Sequence, residues 1–247
     1  MQEQHDIEET DENVERSSSF KKEESSPNRP FTPQRYHVNR LSEDQCKRFK
    51  AAGVLVLAKE PGYHGKTVML LGKENRTKNK RRAIHKPYWL HFSGKREIED
   101  QGCPQVTALR ELHEETAGSL AKYWPMIVEQ VYHDSSAKIW DESSCYVLFV
   151  VYLPYPDPEI PTVFRYIKDE FQPPENYQTE LGWVSYHHVV FDKKYKRCYL
   201  RTPGQEEVEI YPYFALYLRT KCIRYILTTA NRPNYRHFSI HRQSYSY

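Results

Sequence analysis

Three carboxylates crowd one face of a predicted helix near the middle of this 247-residue chain. In the stretch Arg110-Glu111-Leu112-His113-Glu114-Glu115, Glu111 lies three residues before Glu114 and four before Glu115. That spacing stacks side chains along one side of a helix. Like charges so placed repel, and a helix with no use for them would be better served by a lysine at one position. Hard divalent cations such as Mg²⁺ or Mn²⁺ take several oxygen ligands, and a carboxylate cluster on a rigid helix supplies them. Taken alone, the same pattern also describes a solvated helix face, so its setting has to decide.

That setting is a delivery system. Val106, Leu109, Leu112 and Thr116 recur every three to four residues and predict a helix over 104–117. Pro104 suits its first turn and Gly118 the position just past its end. An aromatic extended segment, 88–92, precedes it, followed by Gly94 and a loop carrying Glu97, Glu99 and Asp100. Upstream, 54–57 and 67–71 read as two strands joined by a turn through Pro61-Gly62 and Gly65. Downstream, strands are expected at 127–132, 146–152 and 182–185, a long Pro-rich loop at 154–174, and helical spacing at 211–227. Strands and helices in mixed order predict an α/β or α+β sandwich.

Composition narrows the class. No apolar run approaches the ~18–20 residues of a membrane span, and the acidic first residues lack the basic-then-apolar order of a signal peptide. Five cysteines without a Cys-x-x-Cys pair argue against a disulfide framework or zinc knuckle. A reduced, cytoplasmic or nuclear protein without membrane partners is expected. Residues 1–15 hold seven acids and no Lys or Arg, and Ser and Pro dominate to about residue 40, which predicts a disordered tail over 1–40. The domain is expected at 41–228, followed by a basic Tyr/Arg/His-rich tail at 229–247. Residues 73–86 carry seven bases against the single acid Glu74. This loop and the C-terminal tail could steer polyphosphate or RNA, and Lys78-Asn-Lys-Arg-Arg82 also resembles a nuclear import signal.

The stretch from Gly94 to Gly118 resembles the Nudix box, G-x5-E-x7-R-E-U-x-E-E-x-G-U, where U is a bulky aliphatic. Gly94 matches the leading glycine and Asp100 falls at the first acidic position. Arg110-Glu111 match the R-E pair, Leu112 the aliphatic, and Glu114 and Glu115 the paired acids. Three departures stand out. Asp replaces Glu, nine residues rather than seven separate it from Arg110, and Ala117 stands where the closing glycine belongs. The resemblance implies a sheet between helices and divalent-metal-dependent hydrolysis of a nucleoside diphosphate derivative with Mg²⁺ or Mn²⁺ as cofactor. It implies Glu111, Glu114 and Glu115 as metal ligands, with Glu111 a ligand or the base that generates the nucleophile, and Glu114 and Arg110 in the catalytic set. Arg110 would orient the acids through a loop carboxylate, for which Glu97, Glu99 and Asp100 are candidates. Glu180, upstream of Trp183, is the candidate late acid for the metal, with Glu175 behind it and a plain loop acid as the alternative.

Lys95, Arg96 and Trp89 are the expected substrate contacts. Alternation along the strand sets Trp89 and His91 opposite Tyr88, Leu90 and Phe92, so Trp89 is either a stacking platform for a base or a residue packed beneath a covering helix. Two classes of function follow: a hydrolase of nucleotide sugars, dinucleoside polyphosphates, cofactors or RNA caps, or a nucleotide- or RNA-binding module that kept the fold and lost the chemistry.

Overall fold

The computed structural model describes residues 35–61, 65–77, 85–170, 178–192, 194, 197–201 and 207–229. In chain order the elements are β1 (Arg35–Val38), α1 (Glu43–Arg48), β2 (Ala51–Lys59), β3 (Thr67–Thr77), β4 (His85–Leu90), β5 (Phe92–Lys95), α2 (Pro104–Glu115) and α3 (Trp124–Tyr132). There follow β6 (Lys138–Asp141), β7 (Tyr146–Leu153), α4 (Glu159–Ile167), β8 (Gln178–Ser185), β9 (Val189–Asp192), β10 (Arg197–Leu200), β11 (Val208–Glu209), α5 (Pro212–Leu218) and α6 (Lys221–Thr229).

The main sheet runs β1-β6-β7-β2-β3-β4, with β5 added to β2 and β8 to β3. At its centre β2 lies parallel to β7 from Ala51↔Tyr146 to Ala58↔Leu153. Both faces are covered, which is why β2 and β7 are nearly continuous apolar runs rather than alternating ones. Val54, Val56, Leu70 and Phe149 pack beneath α2, α3 and α4 with Leu112, Ile127 and Phe164. Leu55, Leu57, Met69 and Leu148 pack on the other face with Phe214, Leu218 and Ile223 of α5 and α6. The expected mixed α/β sandwich is therefore the architecture, with β9, β10 and β11 forming a second small sheet.

One feature of the sheet positions the site. β2 and β3 pair only over Val56–Lys59 and Thr67–Leu70, then diverge. The segment from β4 to β5 fills the opening: β4 pairs with Gly72–Thr77 of β3, and β5 pairs with Ala51–Val54 of β2. His91 alone separates β4 from β5, at the fork.

Several expectations are corrected. Residues 127–132, read as a strand from Ile127, Val128 and Val131, belong to α3. Pro125 sits in its first turn, and the buried positions Ile127, Gln130 and Val131 follow a helical period. The Pro-rich stretch is not all loop: α4 occupies its middle, with Ile160 and Phe164 buried four residues apart. Pro161 is tolerated there because the first turn's amides lack intrahelical partners, and Asp157 Oδ1 accepts the Glu159 N–H at 2.9 Å. The fold begins before residue 41, since β1 pairs with β6 from Arg35↔Asp141 to Val38↔Lys138. The helical stretch 211–227 is two helices, and 73–77 and 85–86 of the basic loop belong to β3 and β4, while 78–84 lie outside the described residues. The remainder of the expected tails, 1–34 and 230–247, is also outside them. Among the described residues no helix is long and apolar enough to cross a membrane.

Phe149, 0 % exposed at the middle of β7, reports on this core. Phe149→Ala is expected to lower the unfolding free energy by about 3–5 kcal/mol. Tyr166→Ala on α4, where the ring is 76 % exposed, should change it by less than about 0.5 kcal/mol. Urea unfolding of both variants checks the contrast.

Candidate active site

The carboxylates are delivered by α2, whose buried residues Thr107, Ala108, Leu109 and Leu112 seat it on the sheet. Pro104 opens the helix. At the other end the Gly118 N–H reaches back to the His113 carbonyl at 3.0 Å. Ala117 and Gly118 both adopt left-handed conformations, φ +48° and +73°. The alanine that replaces the closing glycine of the pattern thus keeps a glycine-like backbone, at a cost of about 1–2 kcal/mol.

Arg110 is the hub. Its Nε lies 2.9 Å from Asp100 Oδ1 and its Nη2 3.1 Å from Oδ2, a bidentate pair. The same Nη2 donates to the Lys95 carbonyl at 2.9 Å. Nη1 is 2.9 Å from Glu111 Oε1, 3.1 Å from Glu114 Oε2 and 3.6 Å from Glu97 Oε1. Asp100 is therefore the acid that supports Arg110, while Glu99 is exposed. The longer loop reaches this geometry through consecutive left-handed residues, Gln101 (φ +52°) and Gly102 (φ +72°), which turn the chain back beneath the guanidinium. Asp100 is 1 % exposed and also accepts from the Glu97 N–H and the Thr107 hydroxyl, both at 2.8 Å. Burial alone would raise its pKa, but Arg110 and these two donors outweigh it and leave the group at about 2.

Glu111 presses against Gly94. A β-carbon at residue 94 would overlap the Glu111 carboxylate, so only glycine allows this approach. Burial, opposed by Arg110 and reinforced by Glu114, pushes Glu111 up to about 7. Glu115 is buried at the fork of the sheet. Its Oε2 accepts the Ser93 N–H at 2.7 Å and its Oε1 the Gln178 amide at 3.4 Å. Burial first, and then the neighbouring Glu111 charge, hold its pKa well above the usual range. Glu74 on β3, 2 % exposed, adds to that raise. Glu114, 43 % exposed, faces solvent.

The structure separates two expected residues from this cluster. Glu180 pairs with Lys73 at 3.2 Å, in register across β3 and β8. Trp89 is buried in the opposite core, with Lys73 Nζ 6.0 Å from its ring centroid and Gly182 against its edge. Alternation is the reason. Leu70 and Gly72 face α2, so Lys73, Trp89 and Glu180 face away from it. The register shift between Lys73 and Glu74 then places Gln178 opposite Glu74 on the α2 side. Neither Trp89 as a stacking platform nor Glu180 as a ligand is brought to the carboxylates. Lys95 contributes its carbonyl while its side chain is exposed, and Arg96 lies over the Phe49 ring at 5.1 Å. Glu175 and the bases at 78, 80, 81 and 82 lie outside the described residues.

Sequence reasoning missed Glu74, Gln178 and Ser93. Glu74 carried a signal, as the one acid in a stretch of seven bases. The other two act through an amide and a backbone N–H, which leave no trace in residue type.

Among the described residues no three His, Cys, Asp or Glu side chains converge as metal ligands. Arg110 Nη1 stands in for a cation among Glu97, Glu111 and Glu114. The donor set nevertheless fits a hard divalent ion: it is all carboxylate oxygen, and Glu115 is a buried acid that accepts from two neutral donors and, among the described residues, pairs with no cation. The chain matches no family model, no curated protein and no solved structure.

The depressed Asp100 pKa has a defined consequence. Its contribution is present above the unfolded carboxylate value of about 4 and is lost as pH falls through about 2. Asp100→Asn should cost about 2 kcal/mol at pH 6, and the gap to wild type should close between about pH 4 and pH 2. Urea unfolding across that range measures it. Gly94→Ala, which forces Glu111 off its seat, is expected to destabilise by about 1–3 kcal/mol in the same assay.

Proposed function

We propose that this protein is a Nudix-type hydrolase that cleaves the diphosphate linkage of a nucleoside diphosphate derivative with Mg²⁺ or Mn²⁺. The observation that carries the reading is the meeting in space of parts separated in sequence: Gly94 under Glu111, Asp100 clasping Arg110, and Ser93 holding Glu115. A solvated acidic helix face needs none of these contacts.

Glu111, Glu114 and Glu115 would hold the cation, and Glu74 sits behind Glu115 as a further acid. A bound divalent ion supplies charge neutralisation along the diphosphate and Lewis acidity at phosphorus. Glu111, seated against Gly94, would be either a further ligand or the base that takes a proton from the attacking water. Arg110, fixed from behind by Asp100, orients Glu111 and Glu114 rather than reaching for substrate. The exposed side chains of Lys95 and Arg96 border the site and would draw in a polyanion.

One observation favours the second class. Arg110 already neutralises Glu111 and Glu114, as expected of a site that binds nucleotide without turning it over. An RNA 5′ end as substrate rests on the bases of 73–86 and the C-terminal tail. A cytoplasmic or nuclear setting accords with Cys46, Cys103, Cys145 and Cys198 being free thiols.

Product release from a panel of nucleotide sugars, dinucleoside polyphosphates, cofactors and capped RNA, with Mg²⁺ or Mn²⁺, tests the reading. Turnover is expected in wild type and should fall by about 10²–10³-fold in Glu115→Gln. Silence across the panel in a folded, metal-binding protein would establish the binding module. If RNA is the substrate, its affinity should fall steeply between 50 and 200 mM salt, by about sevenfold for each pair of phosphates engaged on a single strand.

A further inference from the structure

Behind Glu115 and Ser93 lie two buried polar side chains, His91 and Tyr146, for which the proposed chemistry has no use. Ser93 donates its backbone N–H to Glu115 Oε2 at 2.7 Å. Its Cβ and the Tyr146 hydroxyl both lie against the bare face of Gly53. The same phenol oxygen is 2.6 Å from His91 Nε2. Tyr146 and His91 are both under 10 % exposed, and both lie on the far face of the sheet, against Phe214 and Tyr217 of α5.

A glycine makes this approach possible. Gly53 pairs with Ser93 across β2 and β5, and a β-carbon on Gly53 would overlap both the Tyr146 hydroxyl and Ser93 Cβ. Any side chain there would push the phenol away from the strand that carries Ser93. His91 is the residue between β4 and β5, where pairing passes from β3 to β2. The hydrogen bond from Tyr146 therefore anchors the fork at the point where β5 has just left its former neighbour.

We infer that Tyr146 and His91 are positioning residues that act through Ser93: by fixing the start of β5 from behind, they aim its amide at Glu115 and set the carboxylate for the cation. This rests on the metal site of the proposed function. Neither residue touches substrate or cation, and both act across the sheet on a carboxylate of the opposite face.

Mn²⁺ binding to the full chain, followed by the paramagnetic resonance of free Mn²⁺ and read beside thermal unfolding, tests the inference without depending on turnover. Tyr146→Phe removes one hydroxyl and keeps the ring, and should weaken Mn²⁺ binding by about tenfold, as loss of a group that orients a ligand does. His91→Phe should weaken it by a similar factor, and the double variant by little more than either, because both remove the one contact between His91 and Tyr146. Tyr217→Phe is the control. It removes a neighbouring buried phenol that bonds Asp141 at 2.9 Å, and should leave Mn²⁺ affinity at the wild-type value whatever it does to stability. Wild-type affinity in Tyr146→Phe, or equal losses in Tyr146→Phe and Tyr217→Phe, would overturn the inference. Should Tyr146→Phe not fold, unchanged affinity in His91→Phe overturns it alone. A wild-type chain that binds no Mn²⁺ removes the metal site itself, and the inference with it, so the two failures are told apart.

Discussion

A guanidinium set among acids that must remain available needs a counter-ion of its own. Asp100 is that counter-ion, buried and bound to Arg110 through two nearly parallel contacts. Its fixed geometry orients the remaining amino group of Arg110 towards Glu111, Glu114 and Glu97. Without Asp100, Arg110 would be free to collapse onto the helix acids as an ordinary surface pair, worth little. With it, one cation organises the loop, the helix and the end of β5, whose Lys95 carbonyl takes the last donor. The extra loop residues do not disturb this arrangement, because Gln101 and Gly102 absorb them in left-handed turns.

The second constraint is closeness. Glu111 against Gly94, Gln178 against Gly72, and Tyr146 against Gly53 are all approaches that a single methyl group would block. They converge on the fork where β2 and β3 part and the segment from β4 to β5 crosses between them. A forked sheet leaves backbone donors without strand partners, and the Ser93 N–H finds Glu115 instead of another carbonyl. Burial there disfavours charged carboxylates, so Glu111 and Glu115 sit above their usual pKa. Arg110 offsets this for Glu111, whereas Glu115 has, among the described residues, only neutral donors, the Ser93 N–H and the Gln178 amide.

The helix that carries the acids was legible because its signal is local: a proline start, a 3.6-residue apolar stripe and carboxylates at three- and four-residue spacing. The same rules failed for α3, where Ile127, Val128 and Val131 suggested a strand, although Pro125 and the buried positions fit a helix. They failed again for α4, hidden among prolines that a first helical turn accepts. β1 escaped notice because four residues of edge strand next to an acidic, Ser-rich segment carry almost no pattern. Spacing put Glu111, Glu114 and Glu115 on one helix, whereas Glu180 and Trp89, expected beside them, are turned by strand alternation to the other face.

By itself the sequence determined the sandwich class and the helix that carries the acids, since each depends on spacing along a segment, while the pairing of Arg110 with some loop carboxylate came from the resemblance. Only the tertiary structure decided that the carboxylate is Asp100, that Glu74 and Gln178 rather than Glu180 stand beside Glu115, and that Tyr146 and His91 reach the site from behind. Those outcomes depend on a register shift in β3, a fork in the sheet and a missing β-carbon at Gly53. Each is set by how distant segments meet rather than by any pattern within one of them.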